Sequence, residues 1–169
     1  MSKAVSLSKL AFLFIQENHM IQRIQSVYLL IVTVLMIVCL CQPVGSILES
    51  DQTFSTFTNL YIATADGLKS YAPWALFVLL LIVAGLSSVT IFMFKKRMLQ
   101  IRLAIFSIIL LVGYYVTLVV FAMTMPADGA TFTPSWIVCL PFAAIVLNWL
   151  AIRSIGADEA LVKAYDRLR

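Results

Sequence analysis

The chain has 169 residues, of which 62% are hydrophobic and only 12% charged, with a net charge of +4. Soluble domains carry about 45–50% apolar and about 25% charged residues, so a water-soluble globule of this composition would expose apolar patches large enough to aggregate. The basic residues fall in short clusters between apolar runs, without interleaved aromatics along one face, which argues against nucleic-acid binding. The surplus apolar surface is expected to face lipid.

Residues 1–19 carry Lys3 and Lys9 around a short apolar stretch. That stretch is too short for a signal peptide, and no small-residue cleavage site precedes Met20. They are expected to be an extension outside the folded core, with translation starting at Met1 or Met20.

Four apolar runs follow, at 24–44, 73–94, 101–123 and 134–152. Each is near the ~20 residues that a helix needs to cross ~30 Å of hydrocarbon. None contains Asp, Glu, Lys, Arg or His except Arg102 at the edge of the third. They are too long for strands and lack the alternation of a closed barrel. Pro73 and Pro134 are expected in the first turns of helices two and four, where a missing N–H costs nothing. Tyr71, Trp74 and Trp136 then mark one membrane interface, and Tyr28 and Trp149 the other. Pro141 predicts a kink in helix four.

Orientation follows from the cationic residues. Lys3, Lys9, Arg23, Lys95, Lys96, Arg97, Arg102, Arg153, Lys163, Arg167 and Arg169 lie on one side of these spans, and Lys69 lies alone on the other. Both termini and the connection between helices two and three are therefore expected in the cytoplasm, with residues 45–72 and 124–133 outside. In the first outer loop, Phe54, Phe57 and Tyr61 punctuate a Thr-rich stretch and Ala65-Asp66-Gly67 reads as a turn. A short hairpin over the helix ends is expected there, or else aromatics dipping into the headgroups.

Residues 157–169 read as an amphipathic helix separated from helix four by Gly156. Leu161, Tyr165 and Leu168 share one face, Asp158 and Glu159 stand at its start, and Arg167 and Arg169 at its end, as the helix dipole favours. The expected fold is therefore an all-α membrane protein, a four-transmembrane-helix bundle over 20–156 with an amphipathic cytoplasmic carboxyl-terminal helix.

Three groups of residues bear on function. Ionisable groups inside a bilayer are functional by default, and the spans hold none beyond Arg102 at one edge, which argues against a proton-coupled transporter. Cys39 and Cys41 near the outer end of helix one and Cys139 near that of helix four are expected to be reduced packing residues. Their C-x-C spacing is not the C-x-x-C of thiol oxidases, and the chain offers too few ligands for a metal site. Tyr114 and Tyr115, in the middle of helix three, need hydroxyl partners. Ser87, Ser88, Ser107, Thr117 and Asn148 are the candidates across the bundle. With Asn148 they form either packing glue or a polar lining for a lipid or quinone headgroup. Ala84-x-x-x-Ser88 and Gly113-x-x-x-Thr117 are small-residue ridges for close helix approach.

The run Met20-Ile21-Gln22-Arg23-Ile24-Gln25-Ser26-Val27-Tyr28-Leu29, the turn FKKRMLQIRL from Phe94 and the tail LAIRSIGADEALVKAYDRLR from Leu150 resemble a bacterial family catalogued as domain of unknown function 4293. The resemblance spans Met20 to Arg169. It implies a small four-helix protein of the inner membrane in a Gram-negative lineage, with no established activity; separately, no residue pattern in the chain leads to an expected cofactor. Its motifs all fall on the expected cytoplasmic side. There Gln22, Arg23, Gln25, Lys96, Arg97, Gln100, Arg102, Arg153, Asp158, Glu159, Asp166 and Arg167 are expected to meet as a polar collar, either as solvated anchors or as a docking surface. The leading expectation is a non-enzymatic subunit or scaffold that binds a protein partner through Gln22, Arg23, Gln25, Lys96, Arg97, Arg102, Leu161, Tyr165, Arg167 and Leu168. The competing one is a lipid or quinone carrier lined by Tyr114, Tyr115 and Asn148.

Overall fold

The computed structural model describes residues 26–49, 53–64, 66–93, 96–124 and 130–166, with side chains described to residue 157 and not for residue 97. Helix α1 is described over Ser26–Cys41. It is followed by β1 (Gly45–Leu48), β2 (Phe54–Phe57), β3 (Ile62–Ala63) and β4 (Lys69–Ser70), then α2 (Trp74–Phe92) and α3 (Arg97–Thr124), β5 (Thr131–Pro134), a 3-10 turn (Trp136–Val138) and α4 (Cys139–Asp166). Three helical segments, Trp74–Phe92, Met98–Thr124 and Trp136–Ala157, are long and apolar enough to cross a membrane. The described part of α1 is apolar but shorter. The strands connect α1 to α2 and α3 to α4, so consecutive helices alternate in direction.

Buried residues recur along each helix at alternating spacings of three and four. The seams are Leu29, Val32, Met36, Cys39 on α1; Leu76, Leu80, Val83, Ser87, Thr90 on α2; Gln100, Ala104, Ser107, Leu111, Tyr114, Leu118 on α3; and Ala144, Asn148, Ala151, Ile155 on α4. A repeat of 3.5 keeps one stripe of each helix against its neighbours at a shallow crossing angle of about 20°. Helix α3 packs against both α2 and α4. The opposite faces are as apolar as the seams, with Val34, Leu81, Ile109, Val116 and Val146 all exposed.

The expectation of an all-α chain is corrected by a five-stranded antiparallel sheet in the order β4-β3-β2-β1-β5. The hairpin expected in the first outer loop exists, closed by Glu49 N–H donating to the Thr53 carbonyl and by the Ser55 hydroxyl donating to the Glu49 carboxylate. It is part of a four-stranded meander, and the connection between α3 and α4 adds β5 against β1. Gly67, at φ 78°, makes the β3–β4 turn expected at that place; this left-handed conformation suits glycine. Gly45 is needed for a different reason. A Cβ there would stand 2.6 Å from the Thr133 carbonyl oxygen and 2.8 Å from the Phe132 ring. Without it, Phe57 and Phe132 meet edge to face at 5.5 Å. Val44, Ile47 and Phe57 on the inward side of the sheet share one core with Met36, Leu76, Leu80, Tyr114, Leu118 and Ile137.

Three boundary expectations change. Pro134 does not open a helix: it ends β5 opposite Gly45, on an edge strand where a missing N–H is tolerated. Ser135 N–H then donates to the Val44 carbonyl, and the helix starts after the 3-10 turn. Pro141 thereby falls third in α4, directly after the 3-10 turn, nearer the helix start than expected. The break at Gly156 is also absent, since α4 continues for 28 residues to Asp166. A helical glycine costs only about 1 kcal/mol relative to alanine, too little to stop a helix flanked by Ala157, Glu159, Ala160 and Leu161.

Candidate functional site

Polar groups enter the apolar helical body at three depths. At the sheet end, the turn from Thr58 to Tyr61 is pinned by the Thr58 hydroxyl, which donates to the Tyr61 carbonyl at 2.6 Å and accepts from Tyr61 N–H at 3.0 Å. This turn drives Asn59 inward until it is fully buried. Its Nδ2 donates to the Cys39 carbonyl at 2.7 Å and its Oδ1 accepts from the Tyr114 hydroxyl at 2.9 Å. Cys39 is near the end of α1, where the last carbonyls have no helical partner; Asn59 supplies one. Tyr115 donates to the Val138 carbonyl at the start of α4, and its ring meets that of Tyr114 edge to face at 5.7 Å. One sheet turn and two adjacent tyrosines thus tie α1, α3, α4 and the sheet together.

The expected tyrosine partners are corrected by this geometry. Tyr114 and Tyr115 lie level with the sheet ends of α1 and α4, because α3 runs on past them to Thr124. Ser88 and Thr117 turn back instead to the carbonyls of Ala84 and Gly113 in their own helices. Such back-bonding satisfies a hydroxyl locally where neither water nor another side chain is at hand. Asn59 was missed because an Asn in a Thr-rich loop reads as a turn residue. The one signal that points to it is that a buried tyrosine requires a partner and the helices offer none at its level.

At the opposite end, Gln100 is 5% exposed and donates from Nε2 to the Thr90 carbonyl at 2.9 Å. It is therefore not a member of a solvated collar. It closes the connection between α2 and α3 from inside, by capping a carbonyl in the last turn of α2. Lys96 and Arg102 are exposed near that connection. Arg153 is exposed on α4, its guanidinium 5.8 Å from the Trp149 ring centroid. Arg97 opens α3, and Leu161 and Tyr165 lie in the last turns of α4. Gln22, Arg23, Gln25, Arg167 and Leu168 lie outside the described residues, as does the segment 1–19.

Between these ends lie Ser87 and Asn148, both almost fully buried. Asn148 Nδ2 donates to the Ala144 carbonyl at 3.0 Å. Asn148 Oδ1 and Ser87 Oγ find no partner among the described residues. Cys39 is buried, whereas Cys41 and Cys139 are exposed at the sheet end, all three as free thiols.

These features define a class: an apolar set of alternating helices, sealed at one end by a small antiparallel sheet and basic at the other. The family model described as Domain of unknown function (DUF4293) matches residues 21–168. The chain belongs to that family. No curated protein matches it.

Proposed function

We propose that the chain is an integral protein of the bacterial inner membrane that crosses it four times with both termini in the cytoplasm. On this reading it is a non-enzymatic subunit or scaffold, and it binds a protein partner at its cytoplasmic end. The observation that supports this most is the polarity of its surface. The outward helix faces are apolar along their length, the exposed aromatics Tyr71, Trp74 and Trp136 stand at the sheet end, and exposed Lys96, Arg102 and Arg153 stand at the other. Aromatic rings favour membrane interfaces and cationic residues favour the cytoplasmic side. The apolar run at 24–44 supplies the fourth crossing.

The competing reading, a lipid or quinone carrier lined by Tyr114, Tyr115 and Asn148, has less behind it. Both tyrosine hydroxyls are already engaged within the chain. Purification of the full chain in mild detergent, followed by protein and lipid mass spectrometry, separates the two. A co-purifying protein that is lost in the triple variant Lys96→Ala, Arg102→Ala, Arg153→Ala supports the scaffold. Recovery of a stoichiometric lipophilic ligand with no protein partner overturns it.

A further inference from the structure

On the outward face of α4, Phe142, Val146, Trp149 and Arg153 recur at spacings of four, three and four, and all are exposed. Arg153 is the only charged residue of α4 before Asp158. Its guanidinium lies 5.8 Å from the centroid of the Trp149 ring, one turn nearer the sheet end. The helix sets that direction. Side chains lean toward the amino terminus of their helix, and α4 starts at the sheet end. Arg102 is exposed as well, but α3 runs the other way, so Arg102 leans toward the basic end.

In the four-crossing reading, on which this inference rests, Trp136 marks the outer interface. Trp149 lies roughly 20 Å further on, given one 3-10 turn at ~2.0 Å per residue and then ten α-helical residues at ~1.5 Å. The hydrocarbon core is about 30 Å thick, so a guanidinium beside that ring stands short of the inner headgroups. A cation there is unfavourable without a counter-charge. The described helices supply none: α1, α2 and α3 hold no Asp or Glu, and α4 holds none before Asp158. The Trp149 ring face answers part of the charge. What remains is a planar fork of N–H donors beside an indole N–H that only donates. The matching ligand is anionic and accepts at more than one oxygen. A phosphate does both, and a guanidinium holds it through two parallel bonds. Nearer the sheet end the same face continues as Val146 and Phe142. That is the direction in which the acyl chains of an inner-leaflet lipid extend from its headgroup.

We propose that Arg153 and Trp149 form a binding site for the phosphate of an acidic inner-leaflet phospholipid, whose acyl chain lies along Val146 and Phe142. Native mass spectrometry of the full chain in mild detergent tests it, with dioleoylphosphatidylglycerol and dioleoylphosphatidylcholine titrated separately. The wild type is expected to bind one phosphatidylglycerol more tightly than phosphatidylcholine. Arg153→Gln is expected to weaken that binding about tenfold or more, as the loss of a charge-assisted hydrogen bond implies. Trp149→Leu is expected to weaken it less, and Arg102→Gln to leave it unchanged. Wild-type affinity in Arg153→Gln overturns the site. So does an equal loss in Arg102→Gln, because general attraction to the basic end then accounts for the binding. If Arg153→Gln does not accumulate, Trp149→Leu decides: weaker binding supports the site and unchanged binding overturns it. Carbonate extraction of the chain from phosphatidylglycerol-containing vesicles keeps the two readings apart. Release of the wild type into the soluble fraction overturns the four crossings and the site together. A chain that stays with the vesicles but shows no dependence on Arg153 overturns the site alone.

Discussion

The Tyr114 hydroxyl donates to Asn59 Oδ1 at 2.9 Å, joining α3 to a sheet turn 55 positions earlier in the chain. The same Asn59 amide holds the Cys39 carbonyl, so a single side chain couples the sheet to two helices. Removing one partner of a buried bond leaves the other unsatisfied, at a cost of about 1–3 kcal/mol. Tyr114→Phe is expected to lower stability by roughly that amount. Asn59→Ala is expected to lower it further, because the Tyr114 hydroxyl and the Cys39 carbonyl are both orphaned. Thermal melting in detergent checks the order of the two, and their double variant should lose much less than the sum.

Gly45→Ala is expected to open the seam between β1 and β5. The new Cβ meets the Thr133 carbonyl oxygen, a backbone atom, as well as the Phe132 ring. Phe132→Ala in the same chain should therefore relieve only part of the damage. Amide hydrogen exchange at 131–133 is the readout: faster exchange is expected in Gly45→Ala and should persist in the double variant. Unchanged protection would mean that the two strands tolerate the extra carbon.

Gln100→Leu keeps the buried volume but leaves the Thr90 carbonyl without its side-chain donor. A loss of about 1–2 kcal/mol is expected from the missing buried bond. Exposed Lys96→Ala should be nearly neutral to stability, as surface substitutions usually are. Comparing the two melting curves distinguishes a structural role at Gln100 from a solvated one.

The three thiols should differ in reactivity as they differ in burial. Cys41 and Cys139 are expected to be modified by a small maleimide in detergent, and Cys39 only after unfolding. Replacing Cys41 and Cys139 by Ala should leave the melting temperature nearly unchanged, while Cys39→Ala should lose about 1 kcal/mol as a small core truncation. Intact-protein mass spectrometry counts the adducts; three adducts on the folded chain would contradict the burial of Cys39.

The helices were legible in the sequence because long uncharged runs have few other uses. The spans at 73–94 and 101–123 match α2 and α3 closely. The sheet was legible only as a hairpin. Strands of two to four residues carry too little pattern to be seen alone, and β5 is defined by pairing with residues some 86 positions away, Leu48 with Thr131 and Gly45 with Pro134 among them. Pro134 was misplaced for that reason: a proline before a tryptophan and an apolar run looks like a helix start until the paired strand is known. Gly156 was misread because a glycine near an amphipathic change of pattern marks a helix end only when the backbone turns left-handed there, and only Gly67 is so among the described glycines. For the polar interior, the sequence supplied the residues Tyr114, Tyr115, Ser87 and Asn148 but not their pairing, which depends on the level at which each helix ends.

The sheet end and the basic end are expected to lie on opposite sides of a membrane. Single cysteines at Thr56→Cys, exposed on the sheet, and at Lys96→Cys, exposed at the α2–α3 connection, test it with a membrane-impermeant thiol reagent. The background carries Cys41→Ala and Cys139→Ala, with buried Cys39 kept as the internal control. In intact cells the reagent is expected to label Thr56→Cys and to spare Lys96→Cys, which should react only once the inner membrane is permeabilised. Labelling of Lys96→Cys in intact cells, with Thr56→Cys protected or both equally reactive, would contradict the account.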